Sequence, residues 1–187
     1  MSCMYYALYT IYRNKAEFTL INKEKLINCC FFERGKVMFA IQYADPRHTE
    51  IRDLLIESHK LMQLLYANHQ DHSFSINELC ENSVRFLGAK TEKTFVGCAA
   101  LKLHEGYGEI KSLFAASNHR GKGVGKALLS ALEREAVKLH LPCLKLKTGA
   151  LLREATGLYV KAGFQFCGPF GQYEDDGVSL FMNKSLF

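Results

Sequence analysis

Residues 109–136 read EIKSLFAASNHRGKGVGKALLSALEREA, a strand-like run that enters a basic loop punctuated by glycine and opens directly into an amphipathic helix. No other stretch restricts the fold as much. A helix that begins in Arg120-Gly121-Lys122-Gly123-Val124-Gly125 presents successive backbone N–H groups with no intrahelical carbonyl to bond. The helix dipole, those free donors and the side chains of Arg120, Lys122 and Lys126 all favour an anion at that point, and phosphate is the natural one.

The chain around this stretch alternates strand and helix patterns. Residues 39–43 alternate like a half-buried strand that Asp45-Pro46 stops. Ile51, Leu54, Leu55, Ser58, Leu61, Met62, Leu65 and Tyr66 recur at helical steps, which predicts an amphipathic helix over 48–67. Residues 68–75, with His69 and His72, read as a loop, and Ser75 with Glu78 makes a capping box for a short helix over 76–80. Strands are expected at 84–87 and 94–103, joined by a turn at 88–93. Across a second turn at 104–108, residues 109–115 return antiparallel and lead into the glycine loop. The helix after the loop places Val124, Leu128, Leu132, Ala136 and Leu139 on one face. A strand at 144–148, a helix at 152–161 closed by Gly163, and a strand pair at 164–167 and 178–184 complete the chain. The expected class is α/β (α+β).

Composition sets outer limits. A chain of 187 residues, 48% of them hydrophobic, suits one compact domain. The formal charge of +5 is uneven: the first 37 residues hold 6 Lys+Arg against 3 Asp+Glu, and the rest 18 against 16. A nearly neutral domain argues against a general nucleic-acid binder. The seven cysteines are an odd number without CxxC spacing, which fits a reducing, cytoplasmic setting and no metal site. The apolar run from Met4 lacks basic residues ahead of it and closes at Arg13, so neither a signal peptide nor a membrane span is expected.

Residues 1–37 have no clean period, and three readings stand. They are a strand and helix packed on the domain, a poorly ordered extension, or sequence from upstream of the true start. The last has a specific motive, because Glu33-Arg34-Gly35 can be encoded by a purine-rich run resembling a bacterial ribosome-binding site shortly before Met38. The domain itself is expected over 38–187.

Three phosphate-binding patterns compete for the loop. GxxxxGK[ST] fails at Arg120, where its first glycine belongs, and at Ala127, where its hydroxyl belongs. GxGxxG would use Gly121 and Gly123 but meets Lys126 at its third glycine. Arg-x-x-Gly-x-Gly is met by Arg120, Gly123 and Gly125, and here the chain resembles the GNAT superfamily of N-acetyltransferases. A second block, ATGLYVKAGF at 155–164, is similar to that family's tyrosine-bearing helix and following Gly-Phe. The ending, with GPFGQY at 168–173 and SLFM at 179–182, looks like a subgroup of small bacterial members. Many members carry an Asn seven residues ahead of the tyrosine, where this chain has Leu152, so no role of that Asn carries over.

The resemblance implies a mixed, mostly antiparallel sheet flanked by helices and an N-acetyltransferase that uses acetyl-CoA as cosubstrate, without a metal. Arg120, Gly121, Lys122, Gly123, Val124, Gly125 and Lys126 would then hold the pyrophosphate, and a backbone N–H from Leu113, Phe114 or Ala115 would polarise the thioester carbonyl. Glu109 resembles the strand glutamate that serves as base in some members, and the alternative is an exposed or ion-paired strand residue. Tyr159 is the candidate acid for the departing thiolate, and the alternative is a packed helix tyrosine. His104, His119 and His140 are expected to be structural or exposed, and Glu174-Asp175-Asp176 a solvated loop near the acceptor entrance. The expected partner is a small-molecule or peptide amine, with no nucleic acid or membrane, and a homodimer is left open. A non-catalytic acyl-CoA-binding regulator on the same fold is the rival reading.

Overall fold

The structure, a computed structural model, describes residues 26–33, 36–66 and 75–187. Expectations that fall on 1–25, 34–35 and 67–74, the loop with His69 and His72 among them, lie outside the described residues. The described elements are β1 (Leu26–Glu33), β2 (Lys36–Tyr43), α1 (Thr49–Leu65), α2 (Ile76–Leu79), β3 (Val84–Lys90), β4 (Phe95–His104), β5 (Tyr107–Ala115), a 3-10 turn (Ser117–His119), α3 (Val124–Lys138), β6 (Cys143–Gly149), α4 (Arg153–Lys161), β7 (Gln165–Cys167) and β8 (Ser179–Ser185). The strands form an 8-stranded sheet in the order β1-β2-β3-β4-β5-β6-β8-β7. Neighbours β5 and β6 are parallel, and the other pairs are antiparallel.

Local chemistry sets several boundaries as the sequence predicts. At α2, Glu78 N–H donates to Ser75 Oγ at 3.3 Å and Ser75 N–H donates to Glu78 Oε2 at 2.7 Å, the two halves of a capping box. After α4, Gly163 takes φ +90° and Phe164 N–H reaches Tyr159 O at 3.0 Å, a left-handed helix end. The turn expected at 88–93 is shorter in the structure. β3 continues to Lys90, with Gly88 and Ala89 paired to Cys98 and Gly97, and Thr91 Oγ1 closes the remaining turn by accepting from Thr94 N–H at 3.1 Å. β1 falls within the first 37 residues and pairs with β2, which begins ahead of Met38.

The sheet has two differently built faces. Against one, α3 and α4 close the main core, in which Leu87, Ala99, Leu101, Ile110, Leu144, Leu146 and Met182 of the strands meet Val124, Leu128, Leu129 and Leu132 of α3. Each fully buried Leu contributes about 1.5–3 kcal/mol, so this layer supplies most of the stability. Against the other, α1 and α2 cover only part of the sheet, through Ile51, Leu54 and Leu79 on Val84, Phe86, Phe95, Cys98, Ala100 and Phe114.

One detail of α3 departs from the predicted face. Leu139 is its C-cap and 38% exposed, whereas Glu135 is buried. Tyr43 donates a hydrogen bond to Glu135 Oε2 and Lys138 Nζ donates to Oε1 at 2.7 Å. Burial works to raise the Glu135 pKa, but the hydrogen bonds from Lys138 and Tyr43 outweigh it and hold the carboxyl below its ordinary range. Burial and the bond to Glu135 push the Tyr43 phenol up to about 12.

Candidate active site

The glycine loop has the conformation that its sequence requires. Gly121 and Gly123 adopt φ +72° and +83°, a region that side chains disfavour, and Gly123 is the N-cap of α3. Ala127 N–H is the first to reach a helix carbonyl, Gly123 O at 3.0 Å, and among the described residues no backbone bond uses the N–H groups of 121–126. The helix start is pressed onto the sheet: a Cβ on Gly97 of β4 would lie 2.6 Å from Val124 Cγ1 and 2.8 Å from Phe114 O. Val124 is buried, while Arg120, Lys122 and Lys126 are exposed around the free donors. Arg120 folds back on the end of β5, its guanidinium 5.5 Å from the centre of the Phe114 ring. His119 beside it contacts Asn118 Oδ1 at 2.7 Å, and burial together with Lys122 lowers its pKa. The loop therefore fits a phosphate group by its donors, its charge and the open space beside Gly121 and Gly123, where a Cβ would meet nothing within 4 Å.

Ahead of the loop the sheet opens. β5 and β6 pair at Gly108↔Leu144, Glu109↔Lys145 and Ile110↔Leu146. Beyond that rung β5 stays with β4, to Ala115↔Gly97, and β6 with β8, to Gly149↔Ser179, which leaves a seam between the two parallel strands. A bulge lines the seam: Ala100 pairs with Lys111 and Cys98 with Phe114, so Ser112 and Leu113 stand opposite Ala99 alone. Ser112 holds φ +51°, uncommon for a residue other than glycine and costing about 1–3 kcal/mol. The extra residue reverses the alternation of the strand. Ile110, Leu113 and Ala115 all pack toward α3, and Phe114 turns to the α1 side. Across the seam, Tyr66 Oη accepts from Leu151 N–H at 2.7 Å just beyond β6.

The proposed acid and base lie on opposite faces of the sheet. Tyr159 of α4 is 6% exposed and belongs to the α3-side core, its ring 5.8 Å from that of Phe164. Burial pushes its phenol pKa up. Its ring is thus packed, as the alternative reading expects. Its hydroxyl makes no hydrogen bond among the described residues, where no fully buried side-chain oxygen lacks a partner, so that oxygen reaches the surface.

Glu109 lies on the other face, 3% exposed, at the base of the seam. Tyr173 Oη donates to its Oε1 at 2.7 Å, Lys111 Nζ lies 3.4 Å from the same oxygen, and His104 Nε2 stands 3.1 Å from Oε2. Lys111 Nζ also donates to Tyr173 Oη at 2.7 Å. Burial lowers the Lys111 pKa against the opposing pull of Glu109, and burial raises that of Tyr173, with the Glu109 bond and charge adding to it. Aromatic rings surround the group. His104 stacks on Tyr107 at 4.6 Å, and Phe170 meets Tyr107, Tyr173 and Phe181 edge-on. Glu109 is therefore an ion-paired residue that is buried and not exposed.

The sequence singled out Glu109, Tyr159 and the loop; it did not single out Tyr173, Lys111 or the bulge that the structure places beside Glu109. His104, expected to be structural or exposed, is bonded to Glu109 and has 31% of its side chain exposed. Asp176, read as part of a solvated run, accepts from Lys147 Nζ at 3.2 Å and from Ser179 Oγ and N–H at 2.7 Å each, contacts that outweigh its burial and lower its pKa. A signal for the bulge was available, since the apolar positions Ile110 and Leu113 break the period of two. Among the described residues no group of 3 or more His, Cys, Asp or Glu side chains is placed to hold a metal, and no helix is long and apolar enough to cross a membrane.

Known proteins are similar to this chain in sequence and fold. The model of the acetyltransferase (GNAT) family matches residues 48–164. The IAA acetyltransferase of Azospirillum brasilense is 36% identical over 143 residues, 75% of this chain and 94% of that protein. A solved structure assigned as an acyl-CoA N-acyltransferase, from Klebsiella pneumoniae, superposes with a TM-score of 0.69 at 30% identity, covering 80% of this chain and 99% of the other. The PaiA N-acetyltransferase of Thermoplasma acidophilum, solved in complex with coenzyme A, shares the fold with a TM-score of 0.61 at 20% identity, over 78% of this chain and 99% of that one. By the family match and by its relatives, this chain belongs to the GNAT family of acetyltransferases.

Proposed function

We propose that the protein transfers an acetyl group from acetyl-CoA to an amino group of a small molecule or a protein by direct attack of the amine on the thioester. The observation that carries this reading is the row of unbonded N–H groups at 121–126, held by left-handed Gly121 and Gly123 at the mouth of the β5–β6 seam. That row suits the pyrophosphate, with Arg120, Lys122 and Lys126 adding charge, and the seam leads from it toward the middle of the sheet. PaiA, of the same fold, was solved with coenzyme A, which supports the same cosubstrate here.

In this reading the bulge beside Leu113, with Phe114 and Ala115, supplies the N–H that polarises the thioester carbonyl. An alkyl amine with a free pKa near ~10.4 must lose a proton to attack, and Glu109 receives it. On the opposite face Tyr159 is the acid for the departing sulfur; burial raises its pKa, which keeps the phenol protonated at neutral pH while making it the weaker acid. Residues 38–187 carry the activity. Within residues 1–37, β1 lies at the far edge of the sheet, across β2, β3 and β4 from the seam.

Calorimetry with acetyl-CoA tests the cosubstrate, and a panel of amines, amino acids and peptides scored by free CoA tests the transfer. Saturable binding and CoA release that depends on the amine are expected; no binding to the full chain rejects the reading.

A further inference from the structure

On the face of the sheet that carries Glu109, α1 reaches from one side of the seam to the other. Its early turns are tied to the β4–β5 half: Glu50 Oε2 accepts from Phe95 N–H at 3.2 Å, and Glu57 Oε1 accepts from Ser117 N–H, just past β5, at 3.1 Å. Ile51 and Leu54 are buried on the same half. Tyr66, the C-cap of the helix, closes its own N–H on Met62 O at 2.9 Å and is tied to the other half. Its hydroxyl accepts from Leu151 N–H at 2.7 Å, and its half-buried ring lies directly on β6. A Cβ on Gly149 would collide with Tyr66 Oη and stand 2.5 Å from Cζ and 2.7 Å from Cε2. Gly149 does not hold a left-handed backbone, so what its missing side chain provides is room for this ring.

The level of the contact fits the reaction. Three residues beyond the last paired rung, Ile110↔Leu146, stand Leu113 on β5 and Gly149 on β6. The Tyr66 ring is thus across the seam from the bulge segment at 113–115. Its face is that of Glu109, because Lys145, Lys147 and Gly149 alternate along β6 with Leu144 and Leu146, which pack toward α3.

Resting on the acetyl-transfer reading, we propose that Tyr66 is a specificity-determining residue: its ring, pinned over Gly149, walls the acceptor side of the seam and limits the bulk that the amine carries. The amine must bring its lone pair to the thioester carbon from the Glu109 face, level with 113–115, so the carbon next to nitrogen passes beside the ring. An unbranched carbon clears it, and a branch on that carbon meets it. The wall is held at both ends, by the helix cap and by the Leu151 bond, so it does not swing aside as a surface tyrosine would.

The test uses the full chain and two primary amines, one on an unbranched carbon and its counterpart with a methyl group on that carbon. In Tyr66→Ala the kcat/KM of the branched amine relative to the unbranched one is expected to rise by roughly tenfold, with acetyl-CoA affinity by calorimetry unchanged. Gly149→Ala drives the ring off β6 into the path of the amine, so the KM of the unbranched amine should rise by roughly tenfold, again without loss of acetyl-CoA affinity. With Gly149→Ala and Tyr66→Ala combined, the added methyl has no ring to meet, and the kinetics of Tyr66→Ala alone are expected. Tyr66→Phe keeps the ring but loses the Leu151 bond; it should raise the ratio of kcat/KM by roughly threefold, and it carries the test if Tyr66→Ala does not fold. An unchanged ratio in the Tyr66 variants, or a Gly149→Ala defect that survives removal of the ring, overturns the wall while acetyl transfer stands. A wild-type chain that binds acetyl-CoA but releases no CoA with any amine of the panel overturns the transfer reading, and the wall with it.

Discussion

Alternate residues of β5 and β6 belong to two different regions. Toward α3 the strands present Ile110, Leu144 and Leu146, all nearly fully buried in a continuous apolar core. Toward the loop at 168–178 they present Glu109, Lys111, Lys145 and Lys147, held by carboxylate, phenol and ring partners. The first region derives its stability from area removed from water. The second buries charge, which is costly unless every group is paired, and its pairing is specific. Such a network adds little to stability for the desolvation it requires, and its position at the base of the seam is what argues for chemistry.

The largest expected effect comes from removing the proton-handling group on either face. Glu109→Gln and Tyr159→Phe should each lower kcat by roughly 100- to 10,000-fold, with acetyl-CoA affinity by calorimetry unchanged. Normal turnover in either would show that the faces do not divide the chemistry as proposed. Next, the neighbours Leu146 and Lys147 separate the two regions within one strand. Leu146→Ala should cost about 2–5 kcal/mol in denaturant unfolding. Lys147→Met, which breaks the pair with Asp176, should cost no more than about 1 kcal/mol yet slow turnover. Equal losses of stability would erase the distinction.

Gly123→Val tests the loop that joins the regions. A β-branched residue at φ +83° costs about 1–2 kcal/mol of backbone energy, so the loop rearranges, and acetyl-CoA affinity should fall about tenfold or more. The smallest effect concerns the buried Glu135 on the core face. Its folded pKa is depressed, so its contribution to stability is present above the ordinary value of 4.5 and is lost as pH falls through the lowered folded value. Glu135→Gln should flatten that part of an acid-unfolding curve; an unchanged slope would mean that Lys138 and Tyr43 do not hold the charged form.

The contrast between the faces also explains what the sequence revealed. Apolar residues at steps of two or three to four marked β4, α3 and α4 within a residue or two, because those elements face a continuous core. The glycine loop was legible because positive φ restricts residue choice. Glu109 with Tyr173 was not, since that bond links residues 64 apart, and a polar residue on a strand looks the same whether it faces water or a partner from a distant loop. The burial of Glu135 was illegible for the same reason: nothing in the helix pattern marks it until Tyr43, 92 residues away, is seen to bond it. Ser112 gives no local sign of its strained backbone, and only the spacing of Ile110 and Leu113 betrays the bulge.

A crystal structure of the full chain with coenzyme A tests the seam most directly. The expected result places the pyrophosphate against the N–H groups of 121–126 and the sulfur between β5 and β6 beyond Ile110 and Leu146, with the Tyr159 hydroxyl on one side of it and Tyr173 on the other. Coenzyme A bound elsewhere, with the seam closed and the loop donors bonded only to water, would contradict it.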